Sequence, residues 1–214
     1  MKSNPSLPQL FGKLPAAFAD DFDIESPWLL LEEPLSRALD ALPSEKIEVP
    51  LDPRINLWGD RIVIGKGSRI HPGATIEGPI RIGRNAEVGS GAVLRGGTWL
   101  EDNCVVGTNT EVQSSILMDS ATAPHSNYIG DSLLGAGVSL GAGTVLSSQR
   151  TGQRRLGAIL GDEVEIGQLC GLAPGTTIGR GSRLQSGVHL PAGIYPAESL
   201  INLVQAIEIV DKPR

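Results

Sequence analysis

One short stretch of the sequence combines side chains that can move protons and hold polar ligands. It reads Ala-Pro-His-Ser-Asn-Tyr-Ile-Gly-Asp-Ser over residues 123–132, and Leu-Gly-Ala-Gly-Thr follows at residues 140–144. His125 can gain or lose a proton near neutral pH, so an exposed position would suit it to general-base catalysis. The alternative is a solvent-exposed or turn-capping histidine. For His71 and His189, which lie in regular repeats, we favour that structural role.

The elements that must position this stretch follow a six-residue period. At every sixth position from Ile64 to Met118 the residue is aliphatic or Met. These positions are Ile64, Ile70, Ile76, Ile82, Val88, Leu94, Leu100, Val106, Val112 and Met118. The residue two positions earlier is mostly small, as at Ala74 and Ala86. This period fits neither an amphipathic helix nor a hairpin strand, and it predicts a parallel β-helix of hexapeptide repeats in an all-β fold.

The period is interrupted twice, and each interruption predicts a surface loop. It resumes at Tyr128 with four extra residues and continues through Leu146. It resumes again from Leu160 to Leu190, either with two extra residues or with a larger loop that replaces part of a coil. We therefore expect loops at about Asp119–Asn127 and Ser147–Ala158. Because solenoids often carry insertions on their binding face, we expect functional residues there.

The two ends of the chain lack the period. Ser26-Pro27 is a typical helix start, and the apolar residues from Trp28 to Leu42 follow helical spacing. Pro34 is expected to split this helix in two. This arm could cap the first coil, whose strand edge would otherwise stay open. For the apolar segment Ser199–Val210, strand and helix both stay open. The predicted divisions are a helical arm at residues 1–50, the β-helix at residues 51–195 and a C-terminal tail at residues 196–214.

Composition narrows the possible partners. The 214 residues carry a net charge of −6 and no basic tract, which argues against a nucleic-acid partner. We find no apolar run long enough to span a membrane and no signal-peptide pattern. Cys104 and Cys170 stand in the small inward position, so we expect buried thiols and a cytoplasmic protein. The three dispersed histidines predict no metal site.

Residues 125–144 resemble a known acetyltransferase domain. This is the domain of the bifunctional N-acetylglucosamine-1-phosphate uridylyltransferase/glucosamine-1-phosphate acetyltransferase, which has a similar loop histidine, Tyr, Gly-Asp and Gly-Ala-Gly-Thr turn. The string Ala-Pro-His-x-Asn-Tyr-x-Gly-Asp-Ser and the helical arm also resemble proteins likened to the C-terminal part of sugar-1-phosphate nucleotidylyltransferases. As a fold, the resemblance extends over about residues 64–195.

This resemblance implies a fold and an assembly. Three hexads would form each coil of a left-handed parallel β-helix of six or seven coils, and the protein would be a homotrimer. Left-handed crossovers break the usual rule for parallel strands, and the resemblance alone supports them here. Residues 18 apart would then stack. One interior column would contain Ile64, Ile82, Leu100 and Met118.

The resemblance also assigns roles to particular residues. His125 falls on the catalytic base and Glu111 on the carboxylate that accompanies it. Arg95 and Tyr128 fall on positions that hold the sugar phosphate. Gln113 replaces a phosphate-binding lysine, and Ser139 replaces a sugar-binding asparagine. On the cofactor side, Ala142 lies near the coenzyme, and Gln168 and Cys170 replace two hydroxyl residues. Taken singly, Arg95 and Glu111 would be interpreted as solvated surface charges.

The resulting hypothesis is an acyl-CoA-dependent N-acyltransferase, with acetyl-CoA the expected donor. Its acceptor would be an amino-sugar phosphate or a nucleotide-linked sugar. Two alternatives stay open: a non-catalytic sugar-phosphate or nucleotide-binding module, and a structural trimer that partners a separate sugar nucleotidylyltransferase. The sequence contains no glycine-rich phosphate loop on an α/β sheet, so we do not expect nucleotidyl transfer by this chain.

Overall fold

The computed structural model describes residues 5–22, 26–151 and 154–204. The chain forms a left-handed parallel β-helix in which three parallel sheets enclose an apolar interior. The predicted fold class is confirmed. The helix has about eight coils rather than six or seven. We call its three sheets faces A, B and C, and each coil runs from A through C to B.

The strands are short, and each complete coil contributes one strand to each face. Face A contains β1 (Glu45–Ile47), β3 (Ile62–Ile64), β6 (Ile80–Ile82), β9 (Thr98–Leu100), β12 (Ile116–Leu117), β15 (Leu133–Leu134), β20 (Ala158–Leu160), β23 (Thr176–Ile178) and β26 (Gly193–Tyr195). Face B contains β2 (Asn56–Trp58), β5 (Thr75–Glu77), β8 (Val93–Leu94), β11 (Glu111–Gln113), β14 (Tyr128–Gly130), β17 (Val145–Leu146), β22 (Gly171–Leu172) and β25 (His189–Leu190). Face C contains β4 (Arg69–Ile70), β7 (Glu87–Val88), β10 (Val105–Thr108), β13 (Thr122–His125), β16 (Ser139–Leu140), β21 (Glu165–Ile166), β24 (Arg183–Leu184) and β27 (Leu200–Ile201).

The predicted interior column is confirmed for its first three members and wrong for the fourth. Ile64, Ile82 and Leu100 lie in register and are fully buried. The next partner of Leu100 is Leu117 rather than Met118. The coil is one residue shorter because the turn between β11 and β12, which contains Ser114 at φ +44°, lacks one residue. Met118 is buried outside the coil, against the N-terminal arm.

The first predicted loop, Asp119–Asn127, is also wrong as an insertion. It contains β13, and Ala123 fills the interior there in register with Val106. A second short turn, with Asp131 at φ +44°, again removes one residue. Two single deletions shift a six-residue period by the same amount as an insertion of four residues. Ile129 therefore lies in the interior, whereas Tyr128 lies on the outer surface of face B.

The second predicted loop is confirmed as the larger of the two alternatives. Leu160 is the in-register partner of Leu134, so 26 residues separate them where other coils use 17 to 19. The extra residues form an antiparallel hairpin of β18 (Gln149–Thr151) and β19 (Arg154–Leu156). The hairpin leaves the solenoid at the corner where face B turns into face A.

The N-terminal arm covers the outer surface of face A rather than capping the first coil. It contains α1 (Leu7–Leu10), 3₁₀ helices at Ala16–Asp21 and Pro27–Leu31, and α2 (Glu33–Asp40). As predicted, Pro34 lies where the helical run divides. The arm packs on a column of outward apolar side chains, because a sheet face of this kind must be buried. The column consists of Trp99, Ile116, Leu133 and Ile159.

One buried carboxylate ties the start of the arm to the solenoid. Asp162 accepts hydrogen bonds from Gly12 N at 2.7 Å and from Ala136 N at 2.9 Å. Its own backbone N donates to Leu10 O at 3.0 Å. Asp162 is therefore a polar anchor between the start of the arm and the solenoid, beside a large apolar contact.

Solenoid pairing extends beyond the boundaries expected at residues 51 and 195. Strand β1 pairs with β3, and β27 pairs with β24. The tail therefore begins as a strand, and residues 205–214 lie outside the described part of the chain. Within residues 5–22, 26–151 and 154–204, no helix has both the length and the apolar character needed to cross a bilayer.

The interior can be tested with one buried charge. Replacing Ile82 by Asp would place a carboxylate in the coil interior and is expected to cost at least ~3 kcal/mol of unfolding free energy. Lys66→Asp, at an exposed turn, is the control and should change it by less than ~0.5 kcal/mol. Urea unfolding measures both, and equal midpoints would contradict the interior position of Ile82.

The arm anchor can be tested in the same way. Asp162→Ala removes the charged acceptor of the Gly12 and Ala136 N–H groups, and we expect a loss of about 1–3 kcal/mol. The arm should also become more sensitive to trypsin at the exposed Lys13. The control is Glu163→Ala, which changes an exposed neighbouring carboxylate. If both variants are cleaved at the wild-type rate, Asp162 does not hold the arm.

Candidate functional site

A ladder of peptide hydrogen bonds runs along the corner between faces C and B. Ser126 N donates to Thr108 O at 2.9 Å, Gly143 N to His125 O at 3.0 Å, and Leu169 N to Ala142 O at 2.8 Å. In the next coil, Gly187 N donates to Gln168 O at 2.8 Å. We call this series the corner ladder. Its members are Thr108, His125, Ala142 and Gln168, each followed by a residue with positive φ.

The corner ladder brings together three residues that the sequence analysis selected. His125, Ala142 and Gln168 occupy the same position in three successive coils. Adjacent parallel strands lie about 4.8 Å apart, so the predicted base and the two predicted cofactor residues form one short column. This arrangement can place a base beside an extended ligand that lies along the corner.

The backbone of His125 is fixed while its ring faces solvent. His125 is exposed at the end of β13, and its N donates to Asn127 Oδ1 at 3.2 Å. Asn127 is buried and donates through Nδ2 to Gly141 O at 2.7 Å, which locks the turn. We did not assign a role to Asn127 from the sequence. The only sequence signal for it is the place of an asparagine two residues after His125.

A polar strip lies beside this corner on the outer surface of face B. Arg95 Nε donates to Glu111 Oε1 at 2.6 Å, and Arg95 Nη1 lies 3.6 Å from Glu77 Oε1. Gln113 Nε2 donates to the Tyr128 hydroxyl at 2.8 Å. The polar strip thus consists of Glu77, Arg95, Glu111, Gln113 and Tyr128. The hydrogen-bond partner of Glu111 is Arg95, and His125 makes no side-chain contact with Glu111 among those the structure shows.

The charges of the strip perturb its own titrating groups. The hydrogen bond to Glu111 raises the pKa of Arg95, so this guanidinium stays charged. Burial raises the pKa of the Tyr128 hydroxyl, and the nearby Glu111 and Asp131 carboxylates raise it further. Tyr128 is therefore a neutral donor and acceptor at physiological pH, which suits it to hydrogen bonding rather than to proton abstraction.

A second carboxylate holds the hairpin next to Tyr128. Asp131 is nearly buried; it accepts a hydrogen bond from Ser148 Oγ and lies 3.7 Å from Arg155 Nη1. Gly157 N donates to Asp131 O at 3.0 Å. The sequence carries no signal for this contact, because it joins the two ends of an inserted segment. The side chains of the other two hairpin arginines lie outside the described part of the chain.

Ser139 does not lie with the other predicted sugar-binding residues. It stands on face C and lines a groove of about 640 Å³ that also includes Gln168. The ion pair of Glu165 and Arg183, at 2.7 Å, forms part of the groove wall. The selected residues therefore occupy two surfaces, the polar strip on face B and the groove on face C, and the corner ladder lies between them.

The remaining candidate residues have contacts that fit a structural role. His71 Nε2 lies 3.2 Å from Glu87 Oε1, and His71 follows β4, three coils before the strand that contains His125. Cys104 and Cys170 are buried free thiols, as expected, and burial raises the pKa of Cys104 to about 12. In the described ranges no three His, Cys, Asp or Glu side chains converge as metal ligands would.

The electrostatics of the strip can be tested by titrating Tyr128. The chain has two tyrosines, so Tyr195→Phe leaves Tyr128 as the sole phenol. Its pKa, followed by ultraviolet absorbance, should lie above the ordinary value of about 10. Glu111→Gln should lower that pKa, because a negative charge that opposes the phenolate is removed. Glu165→Gln on face C is the control and should leave it unchanged, and the account of the strip fails if both substitutions act alike.

Two family models match the chain. The model described as the GMPPB C-terminal domain matches residues 76–173, a range that contains the polar strip and the ladder from Thr108 to Gln168. The model described as the hexapeptide repeat of succinyl-transferase matches residues 157–192. A bifunctional sugar-1-phosphate nucleotidylyltransferase/acetyltransferase of Sulfurisphaera tokodaii is 31% identical over 91 residues. That match covers 35% of this chain and 23% of the relative.

Solved structures are similar in part. The acetyltransferase domain of PglB from Neisseria gonorrhoeae FA1090 is 26% identical, over 62% of this chain and 53% of that chain, with a TM-score of 0.40. The UDP-N-acetylglucosamine acyltransferase from Campylobacter jejuni is 17% identical, over 72% and 68%, with a TM-score of 0.28. Both TM-scores lie below 0.5, so no functional conclusion rests on them. The two family matches and the curated relative confirm the predicted resemblance to hexapeptide-repeat proteins and to the sugar-1-phosphate nucleotidylyltransferase/acetyltransferase group.

Proposed function

We propose that the protein is an acyl-CoA-dependent N-acyltransferase that acts on an amino-sugar phosphate or a nucleotide-linked amino sugar. One observation carries the proposal: the corner ladder aligns His125 with Ala142 and Gln168, and the polar strip lies beside it. The matched model of the hexapeptide repeat of succinyl-transferase and the name of the bifunctional nucleotidylyltransferase/acetyltransferase relative support the same class of activity. Acetyl is the acyl group we expect.

In this proposal His125 is the general base. Its imidazole takes a proton from the acceptor amine as the nitrogen attacks the thioester carbonyl. The new C–N bond forms, the C–S bond breaks, and coenzyme A leaves as a thiolate that takes up a proton. A backbone N–H stabilises the oxyanion of the tetrahedral intermediate. Glu111 Oε1 accepts from Arg95, and the negative charge of the same carboxylate stabilises the imidazolium from a distance.

The polar strip binds the acceptor sugar. Arg95 uses Nε and Nη1 for its two carboxylate neighbours, and its remaining guanidinium donors bind the sugar phosphate. Tyr128 and Gln113, which are hydrogen-bonded to each other, hold sugar hydroxyls. Ser139, on face C, contributes from the other side of the ladder. Ala142 and Gln168 then lie along the acyl-CoA. We propose a homotrimer as the working assembly and the cytoplasm as its location.

A non-catalytic function is the second candidate, and the polar strip itself favours it. Gln113 stands where the resembling acetyltransferase domain has a phosphate-binding lysine, and Arg95 is already paired with two carboxylates. A sugar-phosphate or nucleotide-binding module, or a structural trimer that partners a separate sugar nucleotidylyltransferase, needs no base. Acetyl-CoA binding separates these functions from the proposed transferase.

The base is tested by His125→Ala. We expect the rate of acetyl-CoA thioester cleavage with a panel of amino-sugar phosphates to fall by about two to four orders of magnitude. Substrate binding should stay nearly unchanged. His71→Ala and His189→Ala are matched controls and should keep wild-type rates. Full activity in His125→Ala would disprove the role of His125, and a wild type that binds no acetyl-CoA would favour the non-catalytic function.

A further inference from the structure

Leu169 adopts a backbone conformation that its side chain disfavours. Its φ is +54°, in the left-handed region where Gly, Asn and Asp are common and bulky residues are rare. The other non-glycine residues with positive φ in the described ranges are Asn, Ser, Asp, Glu and Arg, so Leu169 is the apolar one among them. Burial within the single chain does not compensate for this strain, because 67% of the surface of Leu169 is exposed there.

The position of Leu169 relates it directly to the candidate site. It follows Gln168 on the corner ladder, and its N donates to Ala142 O. Its side chain lies back over Gly143, where a Cβ would meet Leu169 Cδ2 at 2.8 Å. Gly143 N in turn donates a hydrogen bond to His125 O. Leu169 therefore stands two coils, or about 10 Å, from the His125 corner.

Leu169 belongs to an apolar part of an otherwise polar surface. Val145, which is 40% exposed, lies in register with Tyr128 and Gly171. In the next coil after Leu169 the corner carries no side chain, since a Cβ on Gly187 would meet nothing within 4 Å. The groove on face C reaches the same corner through Gln168. An elongated ligand that lies along the ladder would contact apolar atoms here.

A strained and exposed apolar residue beside a candidate site is a signal of ligand binding, because its strain brings no benefit to the fold. We propose that Leu169 is a specificity residue that contacts the pantetheine chain of the acyl-CoA donor and so holds the thioester at the His125 corner. This inference rests on the proposed transferase function. The pantetheine chain between the thioester and the nucleotide of coenzyme A is long, and its methylene and dimethyl groups offer apolar surface between two amides. A rigid apolar contact with these groups reduces the entropy lost when the chain is ordered.

The test compares Leu169→Asn with the wild type. Asn tolerates positive φ and removes the apolar surface, so acetyl-CoA should bind about tenfold more weakly, while the melting temperature stays the same or rises. In steady-state kinetics the KM for acetyl-CoA should rise, with kcat and the KM for the amino sugar unchanged. Leu169→Met keeps an apolar side chain and should bind acetyl-CoA within about threefold of the wild type.

Glu198→Asn is the matched control for the backbone. Glu198 has φ +55° at a different corner, so the substitution relieves the same conformation away from the ladder. It should not alter acetyl-CoA affinity. If both Asn variants weaken binding equally, backbone relaxation and not the leucine side chain is responsible, and the proposal is overturned.

Other outcomes also decide the question. A lower melting temperature for Leu169→Asn would show that the leucine stabilises the fold and would overturn the proposal. Unchanged acetyl-CoA affinity would overturn it and leave the transferase function intact. Unchanged affinity together with a smaller particle in sedimentation would assign Leu169 to contact with a second copy of the chain. Failure of the wild type to bind acetyl-CoA would overturn both this proposal and the proposed function.

Discussion

Each coil can bury its aliphatic side chains only against the coils before and after it. Leu100, for example, lies between Ile82 and Leu117, and peptide hydrogen bonds hold the three strands in register. This stacking is the constraint on which the rest of the structure depends. It fixes the spacing between equivalent positions at about 4.8 Å, whatever side chains point outward. Outward positions are therefore free to carry polar groups in columns.

The candidate site uses that freedom on two sides of one corner. A single coil would offer His125 no neighbours at a defined distance, whereas stacked coils place Ala142 and Gln168 in the same column. Side-chain contacts add what stacking does not supply: Asn127 locks the turn after His125, and Asp131 holds the hairpin. Stacking does not bury the outward apolar side chains of face A. The N-terminal arm covers them through the large contact at Trp99 and its neighbours.

The sequence predicts the coils where spacing is regular and misplaces them where it is not. Leu117 and Met118 are both apolar and both buried, so a six-residue count cannot tell which one enters the coil. Likewise, a count cannot distinguish two missing residues from four extra ones, and so the period predicts a loop where β13 lies. The position of the arm had a signal in the outward apolar residues Ile116 and Leu133, each one residue before an interior leucine. The contact of Asp131 with Ser148 had none, because an inserted hairpin determines how its ends meet.

The central claim is that the ladder beside His125 is where an acyl group is transferred. A crystal structure of the protein with coenzyme A bound tests it most directly. The account predicts that the thiol sulfur lies at the His125 corner and that the pantetheine chain of coenzyme A runs past Ala142 and Gln168. Coenzyme A bound away from this corner, with its sulfur remote from the His125 ring, would contradict the claim.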